Sequence, residues 1–293
     1  MKKPLKMKLV DYLTGNPHHL QEIYEKFPEE AETTIRGRLN ENINRCFKRL
    51  ARGVYVATKG DATAVIIEGD AWAEIKNLAD NSVDAIITDP PYTIMDDFVS
   101  IGTTRKKKNS WSFDTKDIDL ELLSEFERVL KPGGHFFCFM PANSEKTYEY
   151  NDRFIRMAMT SGFIMNKSFV WNKICFGMGY TGRAKYEQII FFSKGKRHMP
   201  YNRSIADCLD HKRIYPGNRI HEAEKPVELI EDLVKFCSEE DQVILDPFAG
   251  SLSTAKACLR QRRHSISVEV SKPILEVAVE HLEKEAEKIV LLN

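Results

Sequence analysis

Two short motifs combine a carboxylate with residues that stiffen or thin the backbone around it. Asp89-Pro90-Pro91-Tyr92 follows the apolar run VDAIIT, and Asp246-Pro247-Phe248-Ala249-Gly250-Ser251 follows QVIL. In the first, consecutive prolines fix φ and deny the chain a helical start, which holds Asp89 and Tyr92 in a rigid loop with its carbonyls outward. Two prolines alone read as a stiff turn; the acid before them and the aromatic after them point to a site. In the second, small residues let a ligand approach the backbone, and the start of the next helix offers free N–H groups to a carboxylate or other anion. Glu269 ends the following apolar run. It stands about twenty residues on, the spacing at which an acidic side chain takes the two ribose hydroxyls of a bound nucleoside. Asp70, at the end of a third run, could meet the adenine amino group of the same ligand.

These residues are useful only if their strands lie side by side, and the pattern around them predicts that. TAVIIEGD (63–70), VDAIITDPP (83–91), GGHFFCFM (133–140), QVILDPF (242–248) and HSISVEV (264–270) read as buried strands. AWAEIKNLAD, DLELLSEFERVL, KPVELIEDLVKFCS and STAKACLRQ read as helices, and SKPILEVAVEHLEKEAEKIV as a long terminal one. Strand–helix alternation predicts an α/β fold with a mostly parallel sheet covered on both faces. In such a sheet ligands bind outside the carboxyl ends of the strands. SFVWNK and YEQIIFFSKG are further strand candidates, joined by a Gly-rich link, and an irregular basic stretch follows to about residue 220.

Residues 1–60 read as a separate small unit. Leu9, Val10 and Leu13, then Leu20, Ile23, Tyr24 and Phe27, have helical spacing, with Gly15-Asn16-Pro17 between the two groups. Ile35, Leu39, Ile43, Phe47 and Leu50 predict a third helix interleaved with basic residues, and GVYVAT from Gly53 a terminal ribbon. Three helices and a ribbon resemble a winged helix-turn-helix, whose late helix enters the major groove. Arg36, Arg38 and Asn40 are its candidate readers; a structural or protein-docking role stands as the alternative.

The 293 residues carry 43 basic and 43 acidic side chains, and 42% are hydrophobic. That composition excludes disordered, collagen-like and disulfide-scaffold classes. No apolar run approaches a membrane span, and the start MKKPLKMKLV is no signal peptide, so a cytoplasmic protein is expected. Cys46, Cys138, Cys175, Cys208, Cys237 and Cys258 form no CxxC or Cys/His cluster, and no metal is expected. Zero net charge hides an uneven distribution. Residues 1–60 carry +5 and residues 166–220 carry +8, leaving −13 for the rest. Two basic zones on a neutral chain suit a localised nucleic-acid footprint as well as two solvated faces.

Taken together, Asp89–Tyr92 with the segment before it, LKPGG at Leu130–Gly134, HEAEKPVELI at His221–Ile230, and DPFAGS with the downstream SVEV resemble the DNA amino-methyltransferases that use S-adenosylmethionine. The likeness covers residues 63–285 and has the motif order of the β class: catalytic motif, target-recognition region, then cofactor loop. It implies a circularly permuted Rossmann-like fold over 61–293, with a C-terminal-side antiparallel strand pair and a target-recognition region over about 172–220. By this resemblance Asp89, Pro90, Pro91 and Tyr92 are catalytic. Asp246, Phe248, Gly250 and Ser251 cradle the methionine end, Glu269 holds the ribose, Asp70 faces the adenine, and Lys225 and Pro226 border the cofactor carboxylate. Leu252 departs from the pattern, which has glycine there; the expectation is a side chain near the cofactor pocket and weaker binding.

The resemblance implies methyl transfer to the 6-amino group of an adenine flipped out of double-stranded DNA, with Tyr92 offering it a stacking face. Asp at the first motif position favours adenine, because cytosine 4-amino enzymes usually carry Ser there. Arg183, Lys185, Lys196, Arg197, Arg203, Lys212, Arg213 and Arg219 are candidate DNA contacts, and Arg105, Lys106, Lys107 and Lys108 a loop closing on DNA or a plain solvated one. Trp111 and Trp171 are expected as packing anchors. A homodimer and a cognate restriction endonuclease are possible partners. Competing readings are a cytosine 4-amino enzyme, an RNA methyltransferase, and a DNA-binding regulator with a vestigial methyltransferase fold.

Overall fold

The structure is a computed structural model and describes residues 4–14, 17–43, 47–51, 53–57, 62–92, 117–145, 147–177, 182–221, 223–283 and 289–292. Arg105–Lys108 and Trp111 lie outside the described residues.

Among the described residues, nine strands form one sheet. In chain order they are β4 (Ala64–Glu68), β5 (Val83–Thr88), β6 (Leu130–Met140), β7 (Phe163–Asn172), β8 (Tyr186–Lys194), β9 (Cys208–Asp210), β10 (Val243–Asp246), β11 (His264–Glu269) and β12 (Ile289–Leu292). They lie side by side as β12-β4-β11-β10-β5-β6-β8-β7-β9. The first six in that list are mutually parallel. β8 then runs antiparallel to both β6 and β7. The antiparallel pair therefore sits in the middle of the chain, where β7 and β8 follow one another with no helix among the described residues between them. The strands nearest the C-terminus are parallel.

Side chains alternate across this sheet and fill two cores. Phe136, Cys138 and Met140 of β6 join Val243 and Leu245 of β10 under α5 (Leu120–Val129) and α6 (Tyr148–Thr160). Phe137 and Phe139 join Ile244 under α7 (Val227–Cys237) and α8 (Ser253–Arg260). Period-two alternation of apolar residues on both faces is the mark of a sheet covered twice, as the sequence predicts. α9 (Lys272–Glu283) closes a smaller cluster with Ile66 and Leu252.

The N-terminal residues build α1 (Leu5–Leu13), α2 (Leu20–Lys26) and α3 (Glu32–Glu41) with a small antiparallel sheet, β1 (His18–His19), β3 (Val54–Ala57) and β2 (Phe47–Ala51), in that spatial order. The third helix is shorter than its spacing predicts. It ends at Glu41, and Phe47–Ala51 is a strand pairing with β3, so Phe47 enters the small core from a strand. Leu9, Leu13, Ile23, Ile35, Leu39 and Tyr55 share that core. Val54 and Val56, on the opposite face of β3 from Tyr55, are buried in the large core instead.

Two further differences concern the ends of elements. Ile289–Leu292, expected in part as the tail of the last helix, is a strand beside β4, and the last helix is described through Glu283. AWAEIKNLAD gives only one helical turn, α4 (Ala71–Glu74), running into a 3-10 turn. No helix among the described residues is long and apolar enough to cross a membrane.

Candidate active site

Parallel strands β4, β11, β10 and β5 are adjacent, so their carboxyl ends form one rim. Glu269 pairs in register with Glu68, Asp246 with Ser267, and Leu245 with Ile86. The chain leaves β10 towards β11 and leaves β5 towards β6, which makes the β10/β5 boundary a topological switch point, where open sheets bind ligands. Asp246 ends β10, and Asp89 directly follows the end of β5.

Asp246 is buried, and three donors converge on it. The Thr88 hydroxyl donates to Oδ1 at 2.9 Å, the Phe248 N–H donates to the same oxygen at 3.2 Å, and Thr254 adds a side-chain bond. Burial outweighs these bonds and pushes its carboxyl up to about 6. The loop behind it turns at Gly250, with φ of +49°, and its N–H donates to Glu269 Oε2 at 2.7 Å. Glu269 Oε1 accepts from the Ser271 N–H at 2.8 Å, so this side chain clamps the loop to β11. Phe248 packs edge-on against Trp72, 5.7 Å between ring centres. The Ser251 and Ser253 hydroxyls share a 3.2 Å hydrogen bond. Asp70 is exposed at the N-cap of α4 and makes no capping bond.

Leu252 does not enter this rim. It adopts the left-handed conformation, φ 61°, and is 1% exposed, packed with Ala64, Ile66, Ala255 and Leu275. The expectation of a side chain near the pocket is corrected here: at that backbone angle the Cβ points into the α9 cluster.

At the other motif, the Tyr92 hydroxyl donates to Asp89 Oδ1 at 2.8 Å and contacts the Phe139 carbonyl. Its ring meets Tyr150 edge-on at 5.7 Å, and burial, with Asp89 beside it, holds the phenol well above its usual range. Tyr92 is therefore fixed at one end by hydrogen bonds and on one side by Tyr150. Pro90 is buried and Pro91 half-buried.

Lys225 reaches the site in an unexpected way. Ser253 donates to its main-chain carbonyl at 2.9 Å, which places Lys225 and Pro226, the N-cap of α7, beside the loop after β10. Its amine turns away, onto Asp89 Oδ2 and, at 3.4 Å, Glu187 Oε2. Glu187 also pairs with Lys173 at 2.5 Å. Glu187 and Lys173 went unnoticed in the sequence. Both flank the Gly-rich link, and the Trp171↔Glu187 register of β7 and β8 carries them to the rim.

The structure divides the basic candidates. Arg183 and Lys185 stand at the rim end of β8, 5.7 and 5.6 Å from the ring centre of Phe176, which is 63% exposed. This aromatic flanked by cations is a second feature absent from the sequence reading; a Phe in the Gly-rich link between Lys173 and Arg183 is its signal. Lys212 and Arg213 follow the rim end of β9, and Arg219 donates to the Ile214 carbonyl at 2.7 Å. Lys196 and Arg197 lie at the other end of the sheet, where His198 bonds to Gly133 at the start of β6, and Arg203 follows them on an exposed turn. Arg36, Arg38 and Asn40 are exposed on α3; Arg36 bonds to the Tyr24 hydroxyl and Arg38 to Glu41. Trp171 is a buried anchor, as expected, donating to the His211 carbonyl at 2.7 Å.

Comparison with known proteins agrees with this fold. A DNA adenine methyltransferase of Escherichia coli strain K12, YhdJ, is 26% identical over 262 residues, covering 76% of this chain and 84% of its own. Among solved structures, M1.HpyAVI in complex with SAM superposes with a TM-score of 0.56 at 22% identity, over 75% of this chain and 99% of that one. The cytosine-N4-specific PvuII DNA methyltransferase superposes with a TM-score of 0.55 at 18% identity, over 78% and 95%. The pattern of the DNA methylase family matches residues 83–280, from the start of β5 into the last helix. By that match, the chain belongs to the DNA methylase family.

Proposed function

We propose that this DNA methylase is sequence-specific and transfers the methyl group of S-adenosylmethionine to the 6-amino nitrogen of an adenine flipped out of duplex DNA. The observation that carries the reading is the meeting of Asp89 and Asp246 on adjacent strand ends, one in a Pro-Pro-Tyr loop and the other under a Gly-bearing turn. The rim's donors and acceptors fit the cofactor. Asp246 is a buried acceptor for an ammonium, Glu269 keeps lone pairs beyond its two backbone bonds for ribose hydroxyls, and Asp70 has an exposed carboxylate for the adenine amino group. Phe248, Gly250 and Ser251 line the turn, and Pro226 with the main chain of Lys225 borders its far side. When bound, S-adenosylmethionine supplies an electrophilic methyl on a sulfonium.

The chain's own residues then have to make a poor nucleophile attack. The lone pair of an adenine amino group is delocalised into the ring. Acceptors on Asp89 and the Pro90 carbonyl hold both amino protons and turn the lone pair out of conjugation, while Asp89 stabilises the charge developing on nitrogen. Most of the acceleration comes from lining up nitrogen, methyl carbon and sulfur. Extrusion of the base is required because its amino group is buried in the duplex. Arg183, Lys185, Lys212, Arg213 and Arg219 stand on the rim side to hold phosphates, and α3 of a winged-helix-like unit over residues 1–60 adds Arg36, Arg38 and Asn40.

The test is to incubate the protein with isotope-labelled S-adenosylmethionine and mixed-sequence duplex DNA, digest to nucleosides and weigh the products. Labelled 6-methyladenine is expected. Label on the 4-amino group of cytosine would reverse the reading of Asp89, and no transfer with no cofactor bound would favour a DNA-binding regulator.

A further inference from the structure

The amine of Lys225 sits between two carboxylates brought together from different strands. Asp89 follows the end of β5; Glu187 is the second residue of β8, and its Oε2 is 3.4 Å from Nζ. The ammonium also lies 5.1 Å from the centre of the Phe139 ring. Burial opposes the charge on Lys225, but Asp89 and Glu187 outweigh it and raise its pKa. Burial likewise opposes the charge on Glu187, and Lys225 with Lys173 outweighs it and holds the carboxyl below its usual range. Both groups are thus ionised at neutral pH, and the lysine has two anionic seats within one pocket.

One of those seats conflicts with catalysis. As an amino nitrogen attacks a methyl, positive charge grows on it, and Asp89 is the carboxylate placed to receive its proton. An ammonium on Asp89 occupies one of its lone-pair directions, weakens it as an acceptor and repels the growing charge. Lysine has a compact charge on a flexible stem with three donors, so it can change partner by rotation without leaving the pocket. Glu187 is the partner within reach. Without Glu187, leaving Asp89 would strand a buried ammonium, which is costly.

Resting on the methyl-transfer reading above, we propose that Lys225 and Glu187 form a positioning switch for Asp89: the Lys225 amine caps Asp89 before the target base arrives and passes to Glu187 when the amino group takes its place. Neither side chain touches the reacting atoms; both act through Asp89. The switch also couples base entry to the β7–β8 link, because Glu187 is held by Lys173, the first residue after β7.

The switch predicts a reversal that a merely structural ion pair does not. Glu187→Gln removes the second seat and leaves Lys225 on Asp89, so kcat should fall about tenfold or more with KM for DNA little changed. Adding Lys225→Met removes the cap, and the double variant should recover to within about threefold of the wild-type kcat. A double variant no faster than Glu187→Gln overturns the switch, as does wild-type kcat in Glu187→Gln itself. Cofactor affinity and thermal melting of each variant check that the fold is retained. If the wild-type protein methylates no DNA, the methyl-transfer reading fails on its own account. The switch is then judged from a crystal structure of Asp89→Asn, where Nζ should lie against Glu187; an amine still on residue 89 overturns it.

Discussion

Asp89 and Asp246 differ in what surrounds them, and their predicted behaviour differs accordingly. Asp89 touches the Tyr92 hydroxyl and the Lys225 amine and faces the place assigned to the target base, so Asp89→Ala should abolish methyl transfer while cofactor affinity persists. Turnover retained in that variant would sink the mechanism. Asp246 is buried, and that burial lifts its carboxyl to about 6. A raised carboxyl pKa means that the folded state binds a proton more tightly than the unfolded one. Its contribution favours folding below the unfolded value, near 4, and is lost as pH rises through about 6, a change of roughly 3 kcal/mol. Cofactor binding should run the other way, since an ammonium needs the ionised form: affinity should drop by up to about tenfold per pH unit below 6. Thermal melting and calorimetric titration of cofactor, each from pH 5 to 8 on the wild type and Asp246→Asn, read the two effects, and equal pH slopes in the two proteins would refute the assignment. Both aspartates were legible in the sequence because each lies in a contiguous motif at a strand end. Glu187 and Lys173 were not, because what brings them to Asp89 is the register of two strands, a relation between distant residues that no local pattern records.

Element boundaries show where local patterns compete with tertiary pairing. The spacing of Ile35, Leu39, Ile43 and Phe47 continues a helical stripe, yet β3 supplies a partner strand and the ladder Phe47↔Ala57 takes over. Spacing of four is also an even number, so a strand keeps such residues on one face as well. α6 went unread although Tyr150, Phe154 and Ala158 recur at intervals of four and are buried. Leu252 is the opposite case, a single residue that changes an element's start. It begins α8 in the left-handed conformation, at a cost of about 1 kcal/mol for a side chain with a Cβ, and the buried Leu side chain offsets that cost. Leu252→Gly should therefore lower stability by about 2 kcal/mol, the lost burial less the relieved strain, while cofactor affinity stays within about threefold. Urea denaturation and cofactor titration separate the two. A large gain in affinity would mean that the side chain obstructs the site after all.

At the scale of the whole molecule, β3 is the residue-level hinge between two cores, with Tyr55 in the small one and Val54 and Val56 in the large one. Removing the first 58 residues would strip two buried valines from the large core, so weaker DNA binding in such a truncation would confound lost contacts with lost packing. Point changes avoid this. Arg36 and Asn40 are four apart on one flank of α3, and Ile35 and Leu39 hold that helix to its core, so the exposed pair can be altered without disturbing packing. If the unit meets phosphates, Arg36→Ala should lower the magnitude of the slope of log affinity against log salt by about 0.9, one released counterion. Lys185→Ala at the rim should do the same. Arg197→Ala supplies the contrast, since Arg197 lies just past the far end of β8, separated from Lys185 by that nine-residue strand, roughly 30 Å long, and its slope should match the wild type. A slope unaltered by Arg36→Ala but reduced by Lys185→Ala would confine the DNA to the rim. The N-terminal unit would then serve through its buried β3 face, as a piece of the scaffold that carries Asp70 and β4 into the sheet.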